Sequence, residues 1–354
     1  MSELSSSFLK KFKNNFIGLS SLFFIILVVI TAIFAYVIAP DSSKNSNQMH
    51  LSIHSKSPGF NTLMLIQKSN PSKNQSKLDR LFFGNKYPDI EIPISTYRIQ
   101  GNKIFFKEFN SKKNIEEFLM ISSGNPPLVI KKKFLLGTDK FGRDFLSRII
   151  IGSRISLSIG FVAVSISLIL GIFFGSIAGY YGGRIDSIIM WIINVTWSVP
   201  TLLLVIAITL GLGKGFWQVF VAVGLTMWVE VARVVRGEVI NIKQQQFISA
   251  ANVLGYTDFR IIYRHIVPNI TSPIIVITAA NFAAAILIES GLSFLGIGAQ
   301  PPMSSWGAII KEHYNEIILG NAYLALIPGM CILLLVMSFM LIGNSLRDSL
   351  DVKS

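Results

Sequence analysis

The sequence predicts an all-α membrane protein with six transmembrane helices and one polar insert between the first and second helix. Three observations support this prediction. Hydrophobic residues make up 51% of the 354 residues and charged residues 14%, whereas a soluble domain carries about 25% charged residues. Six apolar runs are long enough to cross a bilayer. The stretch 41–133, between the first two runs, is instead rich in Ser, Asn and Lys.

The first apolar run covers residues 16–39 and follows several lysines, an arrangement that secretory signals share. The run is longer than a signal-peptide core and can span about 30 Å of hydrocarbon. No convincing small-x-small cleavage site follows it. We therefore expect a retained first helix behind a cytoplasmic tail, 1–15.

The other five runs predict helices, because a chain in hydrocarbon must satisfy its own backbone hydrogen bonds. They cover residues 155–179, 188–210, 216–235, 273–292 and 322–343. The second span places Gly171, Gly175 and Gly179 on one helix face, where glycine permits close approach of another helix. Ordinary use of glycine in a membrane helix would give the same spacing without such a contact.

The charged residues indicate orientation. Short loops and helix flanks rich in Lys and Arg stay in the cytoplasm, and the short outer loops would hold only Lys214 and Lys311. The inner flanks would hold Lys10, Lys11, Lys13, Arg184, Arg236, Lys243, Arg260, Arg264, Arg347 and Lys353. Both termini are therefore predicted to be cytoplasmic, with membrane lipid around the spans. The net charge of +13 does not indicate nucleic acid, because no basic helix with interleaved aromatic residues is present.

The polar insert, 40–133, is predicted to lie outside the cell membrane. Two alternating segments within 94–109, around Gly101 and Asn102, predict a small β-hairpin. The rest of the insert shows no clear pattern.

Catalytic and metal-binding motifs are absent from the sequence. It contains no zinc-protease motif, no Gly-x-Ser-x-Gly nucleophile elbow and no phosphate-binding loop. Cys331 is the single cysteine, and the four histidines are widely scattered. We therefore expect no catalytic residues, no metal site and no bound cofactor.

The inner loop between the fourth and fifth spans, 236–272, is the most informative segment. Residues 247–255 predict a short helix that carries Ala250 and Ala251 and stops at Gly255, where a positive φ is expected. A second helical stretch follows to Arg264, and Pro268 closes the loop. Such an elbow suits docking into a groove on another protein, with both alanines facing that groove. An amphipathic helix lying on the membrane surface is the alternative.

The same loop resembles the coupling loop of ATP-binding-cassette importer permeases. The resemblance rests on the run SAA from Ser249, on Gly255 and on RHIVPN from Arg264. The family usually carries Glu at the position of Ser249. The coupling residues that the resemblance implies are Phe247, Ser249, Ala250, Ala251, Leu254, Gly255, Arg264, His265 and Pro268.

Further motifs are similar to one subgroup, the C-type permeases of dipeptide, oligopeptide and nickel importers. They are LGTDKFGRD from Leu136, ESGLSFLGIG from Glu289 with Pro301, Pro302 and the run SWG from Ser305, and NSLRDSLD from Asn344. The resemblance covers the first span and everything from about residue 134, but it does not explain the insert.

This resemblance implies the type I importer permease fold, with a core at 134–345 and a cytoplasmic tail at 346–354. It implies a sister permease, one or two ATPase subunits that hold ATP and Mg, and an extracytoplasmic substrate-binding protein. The implied function is import of short peptides through the bacterial plasma membrane. Nickel or another small solute is an alternative, as is a receptor or scaffold that transports nothing.

Two acidic residues within the spans are candidates for the translocation path, because a buried charge in the bilayer must face protein or water. Glu230 either faces the path or pairs with Arg233 or Arg236. Glu289 either contacts a peptide amino group or caps the turn 291–298. Asp139, Arg143 and Asp144, before the second span, are expected to be structural.

Overall fold

The computed structural model describes residues 11–68, 75–101, 103–110, 117–120, 126–213 and 215–350. Most of the N-terminal tail and the last four residues lie outside this part, as do Lys10, Asn102, Lys214, Asp351 and Lys353. The chain divides into two compact units. The helical unit comprises Met1–Val28, Ser156–Gln300 and Met330–Ser354, and the sheet unit comprises Val29–Ile155 and Pro301–Gly329.

Helices make up most of the described chain. In chain order they are α1 Phe16–Ile33, α2 Ala35–Ile38, α3 Lys77–Phe83, α4 Phe145–Tyr181, α5 Gly183–Ser198, α6 Thr201–Leu212, α7 Phe216–Lys243, α8 Gln246–Val253, α9 Asp258–Ile261, α10 Thr271–Leu295, α11 Trp306–His313 and α12 Tyr323–Leu350. The strands are β1 Phe60–Gln67, β2 Ile90–Gln100, β3 Lys103–Glu108, β4 Glu117–Met120 and β5 Leu128–Phe134.

Six spans are present if one bent pair of helices counts as a single span. Five helical segments of the described chain are long and apolar enough to cross a membrane: Phe16–Ile33, Phe145–Tyr181, Phe216–Lys243, Asp258–Leu295 and Tyr323–Leu350. The sixth span is the pair α5 and α6, bent by 95°.

The bend corrects the expectation of one continuous helix at 188–210. Pro200 has no N–H to donate and disfavours helical geometry in the residue before it. Val199 is accordingly extended, with φ −95° and ψ 131°. The helix therefore stops at Ser198 and restarts in a new direction at Thr201.

The three glycines of α4 lie against α7 within the helical unit. A Cβ added to Gly175 would lie 2.9 Å from Val235 Cβ, and one added to Gly179 would lie 2.8 Å from the carbonyl oxygen of Arg236. A Cβ added to Gly171 would lie closer still to Val231 Cβ. Because an alanine methyl has no room at these positions, the glycine stripe sets the distance between the two helix backbones.

The sheet unit contains an antiparallel five-stranded sheet with the strand order β4-β3-β2-β1-β5. The predicted hairpin is confirmed as β2 and β3, which pair Ile99 with Ile104. The sheet is larger than predicted, because β1 and β5 also pair across a long sequence separation, with Phe60 opposite Phe134. Leu65, Ile94, Ile104 and Phe106 form its apolar core.

Candidate functional site

The elbow, residues 245–270, is anchored to its own chain along one face. On α8, Ile248 and Ala251 point inward, three residues apart, and pack with Val235 and Val239 of α7 and with Ile266. This apolar face holds α8 against the helical unit.

The inward position of Ala251 corrects one prediction. Ala250 is exposed, but Ala251 is only 3% exposed, so the two alanines do not face one groove. Adjacent residues of a helix lie about 100° apart, and the apolar spacing of Ile248 and Ala251 decides which alanine is buried. The outward surface consists instead of Phe247, Ser249, Ala250, Val253 and Leu254.

The apex of the elbow is a turn at Gly255. Its φ is +75°, and a Cβ there would meet nothing within 4 Å. Backbone N–H groups close the helix end: Gly255 donates to the carbonyl of Asn252 at 3.0 Å and Tyr256 donates to Ala251 at 3.2 Å. Glycine is favoured here for its backbone conformation, since the left-handed region disfavours other residues.

The second arm of the elbow is held by aromatic contacts. Tyr256 stacks on His265 with ring centroids 5.7 Å apart, and the Arg260 guanidinium lies 4.1 Å from the Tyr256 ring. Phe259 and Tyr263 stack on each other at 6.1 Å and remain 77% and 70% exposed.

The arm ends in a π turn, Ile262–Ile266, and a 3₁₀ turn, Val267–Ile270, that begins α10. Arg264 is exposed in the π turn, and Pro268 occupies the first turn of the 3₁₀ segment. Asp258 accepts a hydrogen bond from Tyr180 Oη at 2.9 Å, which fixes the arm to α4.

The elbow therefore combines a rigid inner face with an apolar outer face. Val253 is 88% exposed and Leu254 70% exposed, on either side of the α8 terminus and directly before Gly255. Large apolar side chains this exposed, rimmed by polar residues, are typical of surfaces that bind another protein or a membrane.

The charged residues of α7 separate into paired and unpaired groups. Arg236 donates to both oxygens of Asp186 on α5, at 2.5 and 2.6 Å. Arg233 donates to Asn194 at 3.1 Å, and its guanidinium lies 3.6 Å from the Trp197 ring centroid. Among the described residues, none forms a hydrogen bond or an ion pair with the Glu230 side chain. The predicted alternative of an ion pair with Arg233 or Arg236 was wrong, because α5 supplies other partners for both arginines.

Glu230 lies at the wall of a cavity of about 190 Å³ in the helical unit. Residues on both sides of the break between α5 and α6 line the cavity, and α7 and α10 complete the wall. Its described lining consists of Thr196, Trp197, Thr201, Leu204, Thr226, Met227, Val229, Glu230, Ala284 and Ile288.

Glu289 is placed differently from Glu230. It is fully buried and accepts a hydrogen bond from Ser293 Oγ at 2.7 Å. That hydroxyl in turn accepts from the backbone N–H of Ala299 at 3.0 Å. This arrangement favours the capping alternative, since the carboxylate helps to hold the turn that follows α10.

A second group of charged residues forms an ion cluster in the sheet unit, which we define as Asp139, Arg143, Arg148 and Glu312. Arg143 lies 2.6 Å from Asp139 and 2.7 Å from Glu312, and Arg148 lies 3.0 Å from Glu312 and 3.7 Å from Asp139. Asp139 and both arginines are at least 98% buried as side chains. The cluster joins the loop before α4 to α11.

Residues beside the ion cluster complete the arrangement. His313 Nδ1 lies 2.8 Å from the carbonyl oxygen of Ile309, and burial lowers the pKa of this imidazole. Asp144 accepts from Ser147 at the start of α4, and burial raises the pKa of this carboxyl. Donor atoms of Asp139, Glu312 and His313 lie within 4.8 Å of one another. Because the two guanidiniums already balance the two carboxylates, this group does not suit a further cation.

Residues 171–352, just over half of the chain, match the family of binding-protein-dependent transport system inner membrane components. The chain belongs to this family. The matched residues include α7, the elbow, Glu230 and Glu289, and they exclude the five-stranded sheet.

Curated relatives agree with this assignment. The dipeptide transport system permease protein DppC of Bacillus subtilis is 42% identical over 217 residues, 61% of this chain and 68% of that protein. The oligopeptide transport system permease protein OppC of the same organism is 36% identical over 234 residues, 66% of this chain and 75% of that protein. The glutathione transport system permease protein GsiD of Pectobacterium atrosepticum is 41% identical over 218 residues, 62% of this chain and 72% of that protein.

In this permease subunit, sequence reasoning missed Arg148, Glu312 and His313 as members of one cluster. One signal was available. An arginine in the first turn of a membrane span is costly without a partner, so Arg148 required a carboxylate. Which carboxylate pairs with Arg148 could not be predicted from local patterns, because Glu312 lies 164 residues further along the chain.

Proposed function

We propose that this chain is one of two membrane subunits of an ATP-driven importer for short peptides. It would form the pore with a sister permease, dock on one or two ATPase subunits and receive peptide from an extracytoplasmic binding protein. ATP and Mg would bind to the ATPase subunits. The distribution of Lys and Arg supports cytoplasmic termini and an elbow on the cytoplasmic side.

The observation that carries this proposal is the two-sided elbow. Its inner face is fixed to α4 and α7, so a force applied to its outer face passes into the spans. Its outer face presents Val253 and Leu254, which a groove on an ATPase can cover. Closure of the ATPases on ATP would displace the elbows and shift the spans between two arrangements.

Peptide is the proposed substrate because relatives named for dipeptide, oligopeptide and glutathione transport are 36–42% identical to this chain over 217–234 residues. The cavity chemistry is consistent with this choice. Of the described residues that line the cavity, none is a histidine or cysteine, which are the side chains that nickel prefers. Hydroxyl groups, a carboxylate and apolar surface suit a small organic solute.

The test is a charge placed on the outer face of the elbow. The complete importer, with both permeases, the ATPases and the binding protein, is reconstituted in liposomes with Val253→Glu. An unpaired carboxylate buried in a protein groove is strongly unfavourable. We therefore expect peptide uptake and substrate-stimulated ATP hydrolysis to fall about tenfold or more, while membrane insertion stays normal.

Ser249→Glu is the matched control, because it introduces the same side chain on the same helix at a position where the family usually carries Glu. This variant should transport normally. Full uptake in Val253→Glu would contradict the proposed docking surface, since a helix lying free at the membrane surface would tolerate that change.

A further inference from the structure

We infer that Glu230 binds the α-ammonium group of a peptide as it passes through the membrane. The inference rests on the proposed import of peptides and adds a recognition site within the path. The site comprises Glu230, Thr196 and Thr226, at the cavity beside the break between α5 and α6.

The position of Glu230 in α7 is the first argument. Helix α7 covers Phe216–Lys243, and Glu230 lies within its apolar part, 216–235. An ionised side chain within a span is expensive unless it faces protein or water, and such residues usually mark the path of an ion or a substrate. Glu230 is exposed at the surface of the chain and lines the cavity.

Among the described residues, Glu230 also lacks a compensating cation. Arg236 is held by Asp186, and Arg233 is turned toward Trp197 and Asn194. Within the part of the chain that the structure describes, no cation pairs with Glu230. A carboxylate within a span that its own chain leaves uncompensated is open to a cation from elsewhere.

The threonines identify the kind of cation. Thr226 donates its hydroxyl hydrogen to the carbonyl of Val223 at 2.8 Å, and Thr196 donates to Ile192 at 2.9 Å. Having donated their hydrogens, both hydroxyl oxygens keep acceptor lone pairs, and both threonines line the cavity. An ammonium group has three donors and no acceptor, so one carboxylate and two hydroxyl oxygens match it in number.

The break in the span adds to the negative character of this wall. Helix α5 ends at Ser198, so the carbonyl groups of its last turn lack the N–H partners that a continued helix would supply. The carbonyl of Val195 instead accepts from Ser198 Oγ at 2.7 Å. The end of a helix carries a partial negative charge that favours cations. Broken helices within a membrane are tolerated where they line a cavity.

The cavity size fits the end of a peptide rather than a whole one. Its volume of about 190 Å³ is roughly six times the 30 Å³ that one water molecule occupies in the liquid. This space holds an ammonium group and a small first side chain. Met227 and Ile288 supply apolar contact for that side chain.

The experiment compares uptake of a free dipeptide, Ala-Ala, with its analogue that carries a propionyl group in place of the first residue and so lacks the amino group. The complete importer is reconstituted with wild-type chain, Glu230→Gln, Glu230→Asp or the control Glu238→Gln on the same helix. Affinities of the binding protein for both compounds are measured separately, and uptake rates are compared at equal occupancy.

We expect Glu230→Gln to slow Ala-Ala uptake about tenfold or more, the effect of losing a hydrogen bond to a charged group. Uptake of the propionyl analogue should be the same in wild type and in Glu230→Gln. Glu230→Asp should restore part of the Ala-Ala rate, and Glu238→Gln should match wild type.

Four results would overturn the inference. Unchanged Ala-Ala uptake in Glu230→Gln, or equal slowing of the propionyl analogue, would remove the recognition role. Loss of assembly with the sister permease in Glu230→Gln would assign the carboxylate to a subunit contact. Glu230-dependent uptake of a propionyl peptide that contains lysine would assign the site to side-chain ammonium groups. In each of these cases wild-type uptake of Ala-Ala would leave the proposed function standing, whereas a wild-type importer that carries no peptide would overturn both.

Discussion

The ion cluster of the sheet unit and Glu230 of the helical unit both place charge in apolar surroundings, but they differ in how that charge is compensated. In the ion cluster, each of the two guanidiniums lies within 3.7 Å of both carboxylates. Glu230 has no such partner among the described residues. Charges that are paired within the chain thus stabilise the fold, while a carboxylate without a described partner is available to a ligand.

The energetics of burial explain the distinction. Taking an ion out of water costs several kcal/mol, and a well-placed counter-ion with hydrogen bonds offsets most of that cost. Within the ion cluster each side chain meets at least one opposite charge, so no member is free to bind a passing solute. Glu230 instead borders a cavity that a solute can enter.

The largest loss of stability is expected when one charge is removed from the ion cluster. Arg148→Met leaves Glu312 and Asp139 with one guanidinium between them. Removing one partner of a buried ion pair typically costs about 3–5 kcal/mol. We expect a lower unfolding temperature and less intact importer in detergent, measured by thermal unfolding and by gel filtration.

Two further variants make that test specific. Lys311→Met, beside Glu312 but exposed, should leave the unfolding temperature unchanged. The double variant Arg148→Met with Glu312→Gln should lose less stability than the sum of the single variants, because it removes both opposite charges. Strict additivity would show that the cluster is not a coupled unit.

An intermediate effect on stability is expected from a change in pH, through His50 beside the loop that precedes α4. His50 donates its backbone N–H to the carbonyl of Phe141, and its imidazole lies 3.9 Å from Glu91, which Lys132 already pairs at 2.6 Å. Burial, followed by Lys132, lowers the pKa of His50 to about 4 from the usual 6.5.

The sign of the pH effect follows from proton binding. Between pH 6.5 and 4 the unfolded chain binds a proton on His50 that the folded chain does not. The stability from neutral His50 is therefore present above pH 6.5 and is lost as the pH falls toward 4. The unfolding free energy should drop by about 2 kcal/mol from pH 7 to pH 5. His50→Gln should flatten this dependence, whereas His54→Gln, at an exposed position, should not.

The smallest effect on stability is expected when Glu230 is substituted. Because it has no described partner, Glu230→Gln should change the unfolding free energy by less than about 0.5 kcal/mol, even though it slows peptide uptake. A loss of stability comparable to that of Arg148→Met would show that Glu230 is compensated in the assembled importer, and the contrast between the two regions would disappear.

The sequence predicts most of the fold, because the bilayer imposes simple rules on length and polarity. The spans, the glycines of α4 and the elbow stop at Gly255 all follow from local patterns. The break at Pro200 was also visible locally, but the long apolar run concealed it. The five-stranded sheet could not be predicted, because β1 and β5 pair across 60 or more residues, most of which show no clear alternation of apolar and polar residues.

The candidate site was only partly predictable for a related reason. The elbow motif identified the right segment, but which alanine faces inward depends on packing against Val235 and Ile266. The pairing of Arg236 with Asp186 depends on the neighbour of α7, which periodicity does not reveal. Glu230 could be named as a candidate from its position within an apolar run alone, whereas its cavity exists only in the folded helical unit.

The ion cluster has a consequence for how the chain is made. Glu312 is added 164 residues after Arg148, and at about 5–20 residues per second the ribosome takes roughly 8–33 s to reach it. During that interval Asp139 is the carboxylate of the cluster already present. The second carboxylate arrives after α5 to α10 have been synthesised, so a chain that stalls before α11 holds two guanidiniums against one carboxylate. The cluster thus distinguishes an unfinished chain from a finished one by its charge balance.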